Sequence, residues 1–503
     1  MITLEAVREH AAAAADRVAV RDSQEALTWG ELADRVEALR AWLTRALDHY
    51  EANRAMVLAG NSVRVVVATA ALTSLGIPWV GVDPERDGDT IAEQLAAVNP
   101  TFIVVDSSLP SLPADFWQRW GDTAVLLDLV AFPAFDTRVT HYLAAAEGDH
   151  SAAPWVNPPF SALGFTSGTT GTPKLFVRRK RTENQRVAFL RDRVGFGPGD
   201  SFLITSPLAF ASGHVWAGAA LALGGTVRLG PPDAAAAVDV LANERLTGAF
   251  FVPPFLDRLL EAATTTHAAA DLTALRFVLT GGRHISPRTI RQTRDRLGDL
   301  LYAYYATTET GINTMAGPDD LAAAPYSAGR FMPGITVRAL DPDTLAALPP
   351  GRVGLLAIDS AYAMDEYVHR PLDTVTLDGR RHILTSDYGY LGADGRLYVT
   401  ARSEPGIDVV RVEGAIKEDP AVRDVCVTTS LDDGGPGAVA VVVLQSGLAP
   451  QRRQRALVRA GDVLGRFTGG ARVAEAGSIP YNSAGKVSLP QLRRELAALP
   501  KTA

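Results

Sequence analysis

The first long amphipathic pattern in the chain opens at Thr28. Thr28 and Glu31 have the spacing of a capping box, and Leu32, Val36, Leu39 and Leu43 then recur on one helical face. Met56-Val57-Leu58-Ala59 reads as a short buried strand, followed by a helical stretch from Val63. Asp89 and Thr90 predict the cap of a helix running to Val98. Pro100 stops it, and Phe102-Ile103-Val104-Val105 predicts the next strand. Strand and helix patterns alternate in this way to about residue 300, which predicts parallel sheets covered by helices. From Leu355 to Val399 the runs are shorter and punctuated by turns such as Leu377-Asp378-Gly379 and Gly392-Ala393-Asp394-Gly395, predicting an antiparallel or barrel-like subdomain.

The texture changes again after Arg402. Val422 to Val427 and Ala438 to Leu444 read as strands, Arg453 to Leu464 and Leu489 to Leu499 as helices. With a boundary near Ala401 to Glu404, the chain divides into a large N-terminal domain, 1–401, and a small α+β C-terminal domain, 402–503. The fold class is therefore α/β: parallel αβ-layered subdomains plus a small barrel-like one, followed by the small domain.

Composition narrows the function classes. Of 503 residues, 47% are hydrophobic and 21% charged, as in globular proteins with large buried cores. The formal net charge of -7 gives no footprint for nucleic acid. A single cysteine, Cys426, rules out an intrachain disulfide and a cysteine-based zinc site, and its apolar neighbours predict a buried strand residue. The most apolar stretch, Val63 to Val82, is interrupted by Arg64, Gly76 and Pro78, and predicts a buried helix and strand rather than a membrane span. The N-terminal residues lack the pattern of a signal peptide, so a cytoplasmic location is expected, with no membrane partner and a monomeric or homodimeric state.

The strongest chemical signal is Phe165-Thr166-Ser167-Gly168-Thr169-Thr170-Gly171-Thr172-Pro173-Lys174. Glycines let backbone N–H groups turn toward an anion, hydroxyls add donors, and the lysine adds positive charge. Such a loop suits a polyphosphate, although it lacks the Gly-Lys-Ser/Thr ending of a Walker loop.

With this loop the chain resembles the adenylate-forming enzymes: acyl- and aryl-CoA synthetases, the adenylation domains of nonribosomal peptide synthetases, and firefly-type luciferases. Further matches follow in the family's order. Thr280-Gly281-Gly282-Arg283 resembles its adenine-side glycine turn and Tyr305-Ala306-Thr307-Thr308-Glu309 its Tyr-Gly-x-Thr-Glu motif. Thr385-Ser386-Asp387 resembles Thr-Gly-Asp, Arg402 the arginine that follows, and Asn482-Ser483-Ala484-Gly485-Lys486 the C-terminal Gly-Lys motif. The resemblance implies ATP and Mg²⁺, with CoA or phosphopantetheine as a further cofactor. Thr166, Ser167, Gly168, Thr169, Thr170, Gly171 and Lys174 would hold the phosphates, and Gly281, Gly282, Arg283, Tyr305 and Ala306 the nucleotide. Asp387 and Arg402 would bind the ribose, Glu309 and Thr169 the metal, Thr308 the α-phosphate, and Lys486 would act in catalysis. It also implies a mobile C-terminal domain that turns at Glu404, beside Pro405-Gly406.

Phe210, Ser212, His214 and Trp216 fall where the family binds its acid. Ser212 stands near the aspartate of amino-acid activators, which points away from an ordinary α-amino acid, and Phe210 and Trp216 point toward a small, aromatic or otherwise uncharged-tail acid. His214 reads as a satisfied histidine rather than a base. Arg178-Arg179-Lys180-Arg181 reads as a solvated helix start. The pattern departs from the family in three places. The glycine-containing loop that lines the pantetheine tunnel is shortened between Arg402 and Asp419-Pro420, Arg283 replaces a small residue, and Ala306 replaces glycine. Adenylation followed by transfer to CoA or a carrier-protein thiol is the first expectation. The second is a non-thiol acceptor, as in an amide-forming ligase or an ATP-dependent diazotase that activates nitrite for an aryl amine. A binding protein without catalysis is disfavoured by intact Lys486, Glu309 and Asp387.

Overall fold

The computed structural model describes residues 2–46, 54–121, 124–130, 161–166, 174–179, 184–368, 370–402, 406–428, 438–470, 472–482 and 484–497. The capping box at Thr28 is formed in both directions. Thr28 N donates to Glu31 Oε2 (2.8 Å), and Glu31 N donates to Thr28 Oγ1 (3.2 Å). The helix Trp29–Ala46 that follows buries Leu32, Val36, Leu39 and Leu43.

The cap of the helix Gly88–Val98 differs from expectation. Asp87 accepts from Thr90 N (2.8 Å), which puts Asp89 inside the first turn, and left-handed Asn99 ends the helix one residue before Pro100. Asp87 takes the role because its side chain reaches the N–H three residues on.

Among the described residues, nine strands form the largest sheet, in the order Arg330–Phe331, Gly311–Ala316, Leu301–Thr307, Phe277–Gly281, Gly248–Phe251, Ser201–Ile204, Thr226–Leu229, Val18–Arg21 and Ala26–Thr28. Its six central strands, Leu301–Thr307 through Val18–Arg21, are parallel, and antiparallel pairs close both edges. A second, fully parallel sheet orders Trp79–Val82, Ala55–Leu58, Phe102–Val105 and Val125–Asp128. Strands buried on both faces explain the unbroken apolar runs in the sequence. The helix Val63–Ser74 is buried nearly throughout, and no helix among the described residues is long and apolar enough to cross a membrane.

The turn-rich segment forms an antiparallel five-stranded sheet of Ile335–Leu340, Gly354–Ser360, Arg380–Leu391, Thr374–Leu377 and Leu397–Arg402. After Arg402 a separate core begins. Val412, Ile416, Val425, Val442 and Leu464 pack the helices Val409–Lys417 and Pro450–Thr468 on the sheet Val422–Thr428, Val439–Leu444 and Arg472–Glu475. Cys426 is buried in that sheet, where burial pushes its thiol up to about 12, so it stays protonated.

Candidate active site between the two domains

The site lies where the ends of several strands meet a loop of the small domain. The strand Phe277–Gly281 ends in the glycine turn. A Cβ on Gly281 would come within 2.5 Å of the Tyr304 ring, and Gly282 has φ +92°, so both positions require glycine. Thr280 Oγ1 beside them is buried without a hydrogen-bond partner.

The next strand, Leu301–Thr307, alternates its side chains. Tyr304 faces Trp216 and Phe250, while Tyr305 on the other face donates from its hydroxyl to Asp387 Oδ2 (2.7 Å). Asp387 sits opposite Arg402 in the strand register, with Arg402 Nε 3.9 Å from Oδ1. Thr385 braces the strand Arg380–Leu391 there, donating to Leu356 O (2.8 Å) and accepting from Asp387 N (3.1 Å). Burial raises the Asp387 carboxyl, and Arg402 and the Tyr305 hydroxyl oppose that rise.

Beyond the strand, Thr307 Oγ1 and Thr310 Oγ1 share a hydrogen bond (2.9 Å), which shapes the turn that presents Thr308 and Glu309. The Glu309 carboxylate accepts from the Tyr367 hydroxyl. Arg178 donates to Thr308 O (2.5 Å). It lies on the strand Leu175–Arg179 and is partly buried, which corrects the expectation of a solvated helix start. Desolvation, reinforced by Arg186, brings its guanidinium down to about 10.

The two ends of the phosphate-loop motif are tied together, with Thr166 N donating to Lys174 O and Lys174 N to Thr166 Oγ1 (2.9 Å each). Lys174 Nζ lies 5.8 Å from the centre of the Tyr367 ring. Ser167, Gly168, Thr169, Thr170 and Gly171 lie outside the described residues, as do Lys180, Arg181, Ser483 and the hinge position Glu404.

The small domain supplies Lys486. Asn482 Oδ1 accepts from Ala484 N (3.1 Å) and Lys486 N (2.9 Å), folding the loop tightly. Gly485, at φ +73°, fits against Val252, where a Cβ would stand 2.7 Å from that side chain. The amine is enclosed near Arg402, Asp387 and Glu309. Desolvation, then repulsion from Arg402, lower Lys486 to about 8, against the pull of Asp387 and Glu309.

Arg283, expected at the nucleotide, is engaged in this structure by the small domain. Its guanidinium donates to Glu413 Oε2 (2.6 Å), Val425 O (3.1 Å) and Tyr481 OH (2.9 Å), all on the small domain, and lies over the Tyr481 ring. Glu413 Oε1 is held by Val427 N (2.7 Å), and His284 Nε2 lies 3.0 Å from Oε2. Burial alone would raise the Glu413 carboxyl, but Arg283 and His284 hold it at about 2. Lys417 to Asp257 (2.5 Å) and Arg288 to Val422 O (2.7 Å) extend the same interface.

The expected acid-pocket residues divide. Phe210 caps the helix Ala211–Ala222, and Phe210 and Ser212 remain partly accessible. Trp216 is instead a core residue without exposed surface, stacked on Phe250, because its ring turns into the sheet. His214 shares a hydrogen bond with Leu208 O (3.0 Å), and burial pushes it down to about 3, so it is a neutral, satisfied histidine.

The donor set fits MgATP. Asp387 and Arg402 suit a ribose, the orphaned Thr280 hydroxyl lies beside the glycine turn, Lys174 and Lys486 suit phosphates, and Glu309 is a hard oxygen ligand. Among the described residues there is no cluster of three metal-ligating side chains. Sequence reasoning missed Tyr367, Glu413, His284 and Tyr481, because each acts only through a neighbour distant in the chain.

A layered α/β domain with a small domain that brings a lysine to this cleft defines the adenylating class of nucleotide-dependent enzymes. Residues 7–368 match the AMP-binding enzyme family, so the chain belongs to that family and is an ATP-dependent, AMP-forming ligase. Indoleacetate–CoA ligase of Aromatoleum aromaticum is 28% identical over 455 residues, covering 87% of each chain. The L-proline–[L-prolyl-carrier protein] ligase of Streptomyces coelicolor is 28% identical and covers 85% of this chain and 81% of its own. The structure of the amide bond synthetase McbA from Marinactinospora thermotolerans superposes with a TM-score of 0.80 at 27% identity, covering 98% of this chain and 99% of its own.

Two predictions follow from this geometry. With Lys486 lowered to about 8, the kcat/KM for adenylation is expected to fall as pH rises through about 8, because the deprotonated amine carries no charge. Pyrophosphate release from pH 6 to 10 checks this, and a profile flat to pH 10 contradicts it. Arg283→Met takes from buried Glu413 its strongest counter-charge and leaves it only His284 and Val427 N, a loss approaching the roughly 3–5 kcal/mol of comparable buried pairs. Adenylation is then expected to slow on the order of a hundredfold as the small domain undocks, with interdomain proteolysis accelerating in parallel.

Proposed function

We propose that this ligase adenylates a small acid and passes the acyl group to an amine, forming an amide. The observation that carries the acceptor is the passage from the strand Leu397–Arg402 to the helix Val409–Lys417, which leaves only residues 403–408 between them. That is where the family resemblance leads one to expect the glycine-containing loop of the pantetheine tunnel. Similarity over nearly the whole of both chains to a protein named an amide bond synthetase supports the same acceptor.

In the first step Asp387 and Arg402 hold the ribose, and Glu309 is the carboxylate that would hold Mg²⁺. Thr308 and Lys174 meet the phosphates. Bound MgATP supplies the adenylyl group and the pyrophosphate leaving group. Tyr305 donates to one oxygen of Asp387 and leaves the other open to a sugar hydroxyl. Lys486 neutralises the charge that develops as the substrate carboxylate attacks the α-phosphate, and the low polarity around it strengthens that interaction. In the second step an amine displaces AMP: the C–N bond forms, the acyl–phosphate bond breaks, and the amine loses a proton. The short passage leaves no loop to guide a pantetheine arm, whereas a small amine needs none.

Pyrophosphate release across a panel of acids, with CoA, amines, or nitrite plus an aryl amine as acceptor, tests this reading. Amide product exceeding thioester by at least about tenfold is expected, the ratio set by a difference of 1.4 kcal/mol between acceptors. Thioester as the main product overturns the amine acceptor, and turnover that requires nitrite assigns a diazotase instead.

A further inference from the structure

Gln185 is locked to the strand Gly311–Ala316. Its Nε2 donates to Ile312 O (2.7 Å), and its Oε1 accepts from Ile312 N (3.0 Å). This clamp aims the next residue, Arg186, beneath the helix that carries Phe210 and Ser212 at its start. The guanidinium carbon lies 5.6 Å from the centre of the Trp216 ring, and Nε is buried without an acceptor. Among the described residues no carboxylate pairs with Arg186. The groups that share its surroundings are the cation Arg178, the neutral His214 and the neutral Tyr304.

Tyr304 adds a second donor. Trp216 Nε1 donates to its hydroxyl oxygen (3.3 Å), which leaves the hydroxyl proton to be given away. Both side chains are partly accessible, and Tyr304 is among the groups whose charge acts on Arg186. A partly buried cation with a covered Nε gains from a counter-charge, and the face of one indole supplies only part of that gain.

We propose that Arg186 and Tyr304 form an anion subsite in the acid pocket, so that the acid carries a second anionic group, such as a carboxylate, remote from the one that is adenylated. This replaces the uncharged tail expected from Phe210 and Trp216, and it rests on the reading that this cleft holds the acid. Arg186 is then a specificity-determining residue: a monoanionic acid leaves it unpaired, while a dianionic acid satisfies it.

Calorimetric titration of the full chain with benzoate against terephthalate, and hexanoate against adipate, tests the subsite in the wild type, Arg186→Gln and Arg186→Lys. ATP binding and ATP–pyrophosphate exchange are measured alongside. The dianion of at least one pair is expected to bind the wild type roughly tenfold more tightly or better, as charge-assisted hydrogen bonds provide. Arg186→Gln brings the ratio near one, and Arg186→Lys restores part of it. If Arg186→Gln fails to fold, the wild-type ratio and the Lys variant decide. Equal affinity within both pairs, a preference untouched by Arg186→Gln, or no binding of any acid overturns the subsite. Exchange driven equally well by the monoanions also overturns it but leaves adenylation standing. A dianion preference that depends on Arg186, without any pyrophosphate exchange, keeps the subsite and sinks the adenylation reading.

Discussion

The buried ion pair between Arg283 and Glu413 decides where the small domain sits, and so where Lys486 stands. Each partner is desolvated, and each is held from a second side: Arg283 by Tyr481 and Val425 O, Glu413 by Val427 N and His284. Separation would leave two charges in poor surroundings, so the domains meet in one register rather than a range of them. The loop Asn482 to Lys486 inherits that register through Gly485 against Val252, and the amine arrives beside Asp387 and Glu309. The site is therefore a property of the interface as much as of either domain.

The same low-polarity surroundings set the charge balance of the cleft. Asp387, Lys486, Arg178 and Arg186 are all shifted by desolvation first and by their neighbours second. Charges in such a place act strongly on whatever enters, because water is not there to screen them. At the phosphate end, cations and carboxylates alternate around Lys486. At the acid end Arg186 and Tyr304 stand without a described carboxylate partner, and on the reading proposed above that asymmetry separates the chemistry of the nucleotide from the recognition of the acid.

Much of the fold was legible along the chain. The capping box at Thr28 and the face of Leu32, Val36, Leu39 and Leu43 depend on neighbours three or four residues away, and they formed as read. The two-sided apolar strands and the turn-rich antiparallel segment were equally local signals. The cap at Asp87 was misassigned to Asp89 because both residues are good caps, and only backbone geometry chooses between them. In the site, residues in the motifs could be named by position, but Trp216 could not be told from a pocket wall, since an aromatic on a helix has the same sequence pattern in either role.

The sequence by itself determined the class of fold, the two domains, and the ordered set of glycine, hydroxyl, carboxylate and lysine residues that bring adenylating chemistry into view. Those features rest on short-range spacing and on residue types that only certain chemistry requires. The tertiary structure alone decided that Arg283 joins the domains, that Tyr367 binds Glu309, and that Arg178 and Arg186 are partly buried against Thr308 and Trp216. Each of these depends on contacts between residues far apart in the chain, and on burial that removes a charge from water, neither of which is written in local spacing.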